Sequence, residues 1–280
     1  MRGACAMVLR MATAAPPAIG DLVREWRQRR RRSQLDLACD GGISTRHLSF
    51  IETGRAAPSR EMVLRLTEAL DVPLRERNLM LLSAGYAPQF AERPLDDPAL
   101  DAAREAVRVV LRGHEPYPAV AVDRHWTLVD ANASLGPLLD GVDPALLAPP
   151  INVLRIGLHP LGLAPRIANL AEWRDHLLGR LRRQVADTGD GVLRALLDEL
   201  TQYPATNTYS ATPRAASDYA GVVVPLELVT PAGRLAFFGT ITVFGTPLDV
   251  TLSELAVEAF FPADAATADH LRGLRRADPA

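Results

Sequence analysis

The segment Ser33-Gln34-Leu35-Asp36-Leu37-Ala38-Cys39-Asp40-Gly41-Gly42-Ile43-Ser44 leads directly into Thr45-Arg46-His47-Leu48-Ser49-Phe50-Ile51-Glu52-Thr53-Gly54-Arg55. It reads as two short helices across an abrupt turn. Ser33-Gln34 opens the first helix, whose apolar positions are Leu35, Leu37 and Ala38, and Gly41-Gly42 ends it. One of those glycines supplies the positive backbone torsion needed to leave a helix sharply. Ser44 caps the second helix by accepting a backbone N–H bond. Ala38 is small enough to let the two helices cross closely, and Ile43 fills the space beneath the turn. Leu48 and Ile51 face inward, so Thr45, Arg46, Ser49 and Phe50 face outward.

Helical spacing continues on both sides of this pair. Ile19, Leu22, Val23 and Trp26 recur as one helix face. Pro58-Ser59 starts another helix, with Met62, Val63, Leu66 and Leu70 inward and an end near Val72-Pro73. A fifth helix runs from about Leu74 to Ala84. Residues 18–85 are therefore expected to form one bundle of five short helices. Residues 1–17 read as a disordered leader, with Met7 and Met11 as alternative starts, and residues 86–98 as a Pro- and Asp-rich linker.

Beyond the linker the pattern changes. Leu100 to Leu111 is amphipathic, and Tyr117–Asp123 and Thr127–Asn132 read as two strands around Arg124-His125. Helical stretches follow at 133–139, 167–187 and 191–202. Strands are expected at 222–229, 234–244 and 255–261, the first two joined by Thr230-Pro231-Ala232-Gly233. Strands, then helices, then strands argue for an antiparallel sheet with helices on one side, an α+β domain over 99–272 with a tail at 273–280. Asn132 is expected to cap the helix after it.

The pair of helices resembles the helix-turn-helix of phage-repressor-like (Cro/cI, or XRE) regulators over about residues 19–75. Gln34, Ala38, the Gly41-Gly42 turn, Ile43-Ser44, the Ile51-Glu52-x-Gly54-Arg55 run and Pro58 carry the likeness. The resemblance implies double-stranded operator DNA as partner, with the start of the second helix in the major groove. Arg46 would then bind a guanine edge with two hydrogen bonds. Thr45 and Ser49 offer hydroxyls, and Phe50 either touches a thymine methyl or sugar or packs on the fourth helix. Gln34, Ser44 and Arg55, near helix ends, are expected to bind phosphates. The resemblance also implies a structural ion pair between Arg27 and Glu52. The run Arg29-Arg30-Arg31-Arg32 is either a solvated helix end or a phosphate-attracting patch.

Residues 96–272 resemble the PAS-like ligand-binding half of MmyB-like XRE regulators. The likeness rests on Tyr117–Asp123 with Trp126–Asn132, on Asn152-Val153-Leu154-Arg155, on Leu158-His159-Pro160, on Asn169–Arg174 and on Phe260-Phe261-Pro262-Ala263-Asp264. It implies ligand sensing without naming a ligand. From the residues themselves, Phe237, Ile241 and Val243 share a strand face around Gly239, and a strand glycine marks either close approach of a ligand or chain, or a bend. The expected ligand contacts are Trp126, Leu158, His159, Phe237, Gly239 and Ile241, and the expected ligand is small and largely apolar, such as a chain of about ten carbons.

The charge distribution fits this division. Residues 1–95 hold 15 Arg against 10 Asp and Glu, and residues 96–280 hold 16 Arg against 23, for a net charge of −2 with no lysine. A basic half beside an acidic half suggests one polyanion-binding domain. The two cysteines, Cys5 and Cys39, support neither a disulfide framework nor a zinc site, and point to a reducing, cytoplasmic setting. No run of 18 apolar residues is present to cross a membrane. His114, His125, His159, His176 and His270 show no metal-ligand spacing. No nucleophile elbow, P-loop or dinucleotide fingerprint stands in its expected context. The expectation is a non-enzymatic, homodimeric regulator without cofactor or metal. The alternative is a DNA-binding protein whose second domain binds a protein partner.

Overall fold

A computed structural model of the chain describes residues 17–205, 223–231, 233–244 and 249–277. Residues 1–16 of the leader expected at 1–17, the first position of the strand expected from 222, the turn residue Ala232 and residues 278–280 of the expected tail lie outside that range. The chain divides into two compact units, one ending at Phe90 and the other beginning at Ala91.

Among the described residues the first unit holds five helices: α1 (Ile19–Arg29), α2 (Gln34–Asp40), α3 (Thr45–Glu52), α4 (Arg60–Ala69) and α5 (Leu74–Ser83). Their starts follow from serine chemistry. Ser33 and Asp36 form a reciprocal capping box at α2, Ser44 accepts from the His47 N–H at α3, and Ser59 accepts from the Met62 N–H at α4. Gly42, with φ of 63°, and not Gly41, makes the left-handed exit from α2. Val23, Trp26, Leu37, Leu48, Ile51 and Leu66 form the heart of the core. Leu35 departs from its expected inward place and is 61% exposed. It lies one residue off the stripe defined by Leu37 and Ala38, and the same stripe leaves Cys39 exposed.

Within the arginine run, Arg30 and Arg32 have structural partners inside the unit, while Arg31 is exposed. Arg30 donates to the carbonyls of Leu70 and Asp71, and Arg32 to that of Ala69. Both guanidiniums thus satisfy carbonyls at the C-terminal end of α4, where helix polarity favours cations. Arg29 and Arg30 also lie over the Trp26 ring, at 4.7 and 5.3 Å. Residues 86–90 complete this unit, with Asn78 Oδ1 accepting from the Gln89 and Phe90 N–H groups.

The second unit begins with Ala91, whose carbonyl accepts from Val250 N, and Arg93, which pairs with the buried Asp249 at 2.8 Å. Its elements are α6 (Asp101–Gly113), β1 (Ala119–Val122), β2 (Leu128–Ala131), α7 (Val153–Leu158), α8 (Leu170–Thr188), α9 (Gly191–Thr201), β3 (Leu226–Thr230), β4 (Gly233–Val243), α10 (Val250–Ser253), β5 (Ala256–Pro262) and α11 (Ala265–Ala277). The strands make one antiparallel sheet in the order β2-β1-β5-β4-β3.

Two corrections to the sequence reading follow. Helices cover both faces of the sheet, not one. Val120, Val122, Leu228 and Phe237 pack against α7, α8 and α9, while Ala119, Ala121 and Val257 on the opposite face pack against Val107 and Leu111 of α6. The small alanines of β1 leave room for α6 to approach. Asn132 makes no cap for the 3₁₀ segment Ala133–Leu139. Its Oδ1 accepts from Ala119 N, and its Nδ2 donates to the carbonyls of Leu111 and Tyr117, so it pins the end of α6 to β1. Segment 265–277 is helical, which carries regular structure through the described part of the expected tail.

Candidate functional site

Two separate places are candidates for functional chemistry, one in each unit. In the first unit the outer face of α3 is the candidate. Arg46 and Arg55 are exposed, and their guanidiniums lie 5.4 and 5.9 Å from the Phe50 ring centre. The structure thus brings together three residues singled out from the sequence, with Phe50 half-buried between two cations. Thr45 and Ser49 are half-buried on the same short helix, and Ser44 is exposed at its start.

Behind that face lies a buried polar cluster. Glu52 is 2% exposed. Arg27 Nε donates to its Oε1 at 2.6 Å and Arg27 Nη2 to its Oε2 at 2.9 Å. Gln34 Nε2 donates to Oε2 at 2.8 Å, and Arg24 Nη2 to the Glu52 carbonyl at 2.6 Å. Burial by itself would raise the Glu52 pKa, but the bonds from Arg27 and Gln34 and the charges of Arg27 and Arg24 hold it below the ordinary value. Gln34, expected at a phosphate, is half-buried and donates one amide hydrogen to this carboxylate. The sequence signal for this role is its position one residue inside the α2 cap, facing the end of α3.

In the second unit a partly open cavity of about 100 Å³ lies on the face of the sheet covered by α7, α8 and α9. Val120, Leu128, Val153, Trp173, Leu177 and Phe260 form much of its wall, and Glu258 is its charged residue. Arg180 Nη1 donates to Glu258 Oε1 at 2.5 Å. None of the six ligand contacts expected from the sequence lines this cavity. Leu158 and Phe237 are fully buried core residues. Trp126 is buried at the β1–β2 turn, donates from Nε1 to Gln184 Oε1 and lies under the Arg180 guanidinium at 4.2 Å. His159 Nδ1 accepts from Leu161 N, and its ring meets Tyr203 edge-on.

Gly239 and Ile241 sit across from cavity residues, paired in register with Phe260 and Glu258. Ile241 is 46% exposed and Val243 60%. A Cβ added at Gly239 would meet only the Phe260 ring at 3.8 Å, ordinary contact, so packing within this chain does not require a glycine there. The cavity residues missed from the sequence had one usable signal. Ala256, Glu258 and Phe260 alternate along β5, and a carboxylate in that apolar phase is unusual.

The second unit decides the relationship of the chain to known proteins. Residues 103–274 match the family described as MmyB-like transcription regulator ligand binding domain. The chain belongs to the MmyB-like regulators. In this MmyB-like regulator residues 23–77 also match a helix-turn-helix family, spanning α2 and α3. It is 33% identical over 114 residues to a protein of Methanoculleus marisnigri named as an HTH-type transcriptional regulatory protein. That match takes in 39% of the MmyB-like chain and only 36% of the relative's length. A solved structure of an RNA-binding light-oxygen-voltage receptor aligns over 99% of the chain and 70% of that protein, at 13% identity and a TM-score of 0.26, too low to carry an argument.

Several residues that carried the MmyB-like resemblance have structural work. Asn152 caps α7 and donates to the His125 carbonyl. Arg155 makes a two-point pair with Glu199, whose carboxylate also accepts from Tyr203 Oη. Burial, the Glu199 hydrogen bond and the Glu199 charge push the Tyr203 pKa up to about 12. Asp264 accepts from Thr267 N at the start of α11. Among the described residues no three His, Cys, Asp or Glu side chains gather as a metal site, and no helix is long and apolar enough to cross a membrane.

Proposed function

We propose that this protein binds operator DNA as a homodimer through α3 and that a small apolar molecule in the second unit's cavity modulates that binding. The single observation supporting the sensing half is an apolar cavity with one carboxylate in its wall, within a domain of the ligand-binding family. Few-polar-group concavities of this kind are the usual form of a small-molecule site. A partly open cavity of about 100 Å³ is of the order that admits a benzene-sized body.

The DNA half is supported by two exposed cations, Arg46 on the capped helix α3 and Arg55 just after it, that flank the half-buried Phe50 ring. In this reading Arg46 contacts a guanine edge, Thr45 and Ser49 contribute hydroxyls, Phe50 touches a thymine methyl or a sugar, and Ser44 and Arg55 contact phosphates. One five-helix unit reaches few bases, so two copies would read half-sites about 34 Å or a multiple apart. Strand β5 links the two faces of the sheet: Glu258 and Phe260 line the cavity, and Val257 packs under α6. Movement of β5 on ligand binding would therefore reach α6.

Native mass spectrometry of the purified chain tests dimerisation and any co-purified ligand together. Footprinting upstream of its own gene tests the operator. Arg46→Ala should lower specific affinity by about 1–3 kcal/mol and relax preference at one base position. Unchanged sequence preference in that variant removes Arg46 from base reading. Retention of a protein and no small molecule would favour the protein-partner reading.

A further inference from the structure

We infer that Glu258 selects the ligand by its head group, favouring a neutral molecule that presents a hydroxyl donor over one that presents a carboxylate. The inference rests on the cavity being the ligand site. Glu258 shares the cavity face of β5 with Phe260 and stands in register with Val120 on one side and Ile241 on the other. Its position at the centre of the sheet leaves it little freedom to turn away.

Arg180 determines which oxygen remains available. The guanidinium is held from behind by the Trp126 ring at 4.2 Å, and Trp126 is itself anchored to Gln184. Arg180 donates to Oε1 of Glu258, and Oε2 has no hydrogen-bond partner among the described residues. A carboxylate oxygen in apolar surroundings gains most from a donor, and it can only accept. A hydroxyl on a ligand ring supplies that donor. A ligand carboxylate supplies none and brings a like charge against Glu258. Arg180 offers it little attraction, because its charge is already matched by Glu258.

The test uses three probes that share one ring: phenol, anisole and benzoate. Calorimetric titration of the full chain should show phenol binding about tenfold tighter than anisole, with benzoate weakest. Glu258→Leu should bring phenol and anisole to equal affinity. Glu258→Gln keeps the side-chain shape and should strengthen benzoate binding about tenfold, a gain that simple damage to the fold does not produce. Equal affinity for phenol and anisole in the native chain overturns the head-group role and leaves the cavity standing as the site. So does a phenol preference that survives in Glu258→Leu, or benzoate as the tightest of the three. Failure of all three probes to bind overturns the cavity reading and this inference together.

Discussion

Glu52 concentrates the residue-scale energetics of the first unit. A single carboxylate accepts from Arg27 twice and from Gln34 once, inside a small core. Removing one partner of a buried pair leaves the other charge uncompensated, at a cost of about 3–5 kcal/mol, against at most about 1 for an exposed pair. Arg27→Ala is therefore expected to lower the thermal midpoint of the helical unit sharply, as followed by circular dichroism. The same cluster sets a pH dependence. The folded pKa of Glu52 is held below the ordinary 4.5, so its stabilisation is present above that value and is lost as pH falls through the folded pKa. Acid titration of the unfolding midpoint should show a loss beginning near pH 4.5, and Glu52→Gln should flatten it while lowering stability at neutral pH.

At the scale of elements, two close contacts decide how helices meet their neighbours. Gly20 on α1 lies against the end of α3, and a Cβ added there would overlap the Ile51 carbonyl oxygen. Backbone cannot give way as a side chain can, so Gly20→Ala should force α1 outward. The expected cost is about 1–3 kcal/mol, read as a shift in the denaturant midpoint at constant slope. In the second unit Asn132 holds α6 to β1 with one acceptor and two donor bonds. Asn132→Asp replaces both donors by an oxygen facing the Leu111 and Tyr117 carbonyls. Loss of about 2–4 kcal/mol is expected, with faster amide exchange in α6 than in α8 as its local signature.

The whole molecule joins a basic, short-range helical unit to a larger sheet-based one. Their separate cores should allow the proposed ligand response to be removed without touching the first unit. Gly157 lies on α7 in the cavity wall, and a Cβ added there meets nothing within 4 Å. Gly157→Leu should therefore fill the cavity. Operator affinity by fluorescence anisotropy is expected to stay within about twofold of the native chain, while the change in affinity on adding ligand disappears. A coupling of about 1–3 kcal/mol would be lost, equivalent to a 5–150-fold effect. A normal ligand response in that variant would move the sensing site away from this cavity.

Local patterns determined the first unit almost completely. Ser33, Ser44 and Ser59 fall directly before the helices they cap, and the glycine turn fixes where α2 stops, because capping and turn chemistry act over three or four residues. The strand segments of the second unit were legible for the same reason, since alternation is a local property. What local pattern did not contain was the pairing. The last strand, β5, inserts between β1 and β4, separated from β1 by over a hundred residues, and this brings Glu258 opposite Val120. The cavity is assembled from β1, β2, α7, α8, β3 and β5, so no one stretch of sequence outlines it. Leu158, Phe237 and Gly239 stood out locally, yet packing placed the first two in the solid core and the third on an open strand. Hydrophobic burial is non-directional, so an apolar residue announces that it will be buried, and only the tertiary arrangement decides whether it meets another side chain or a space a ligand can enter.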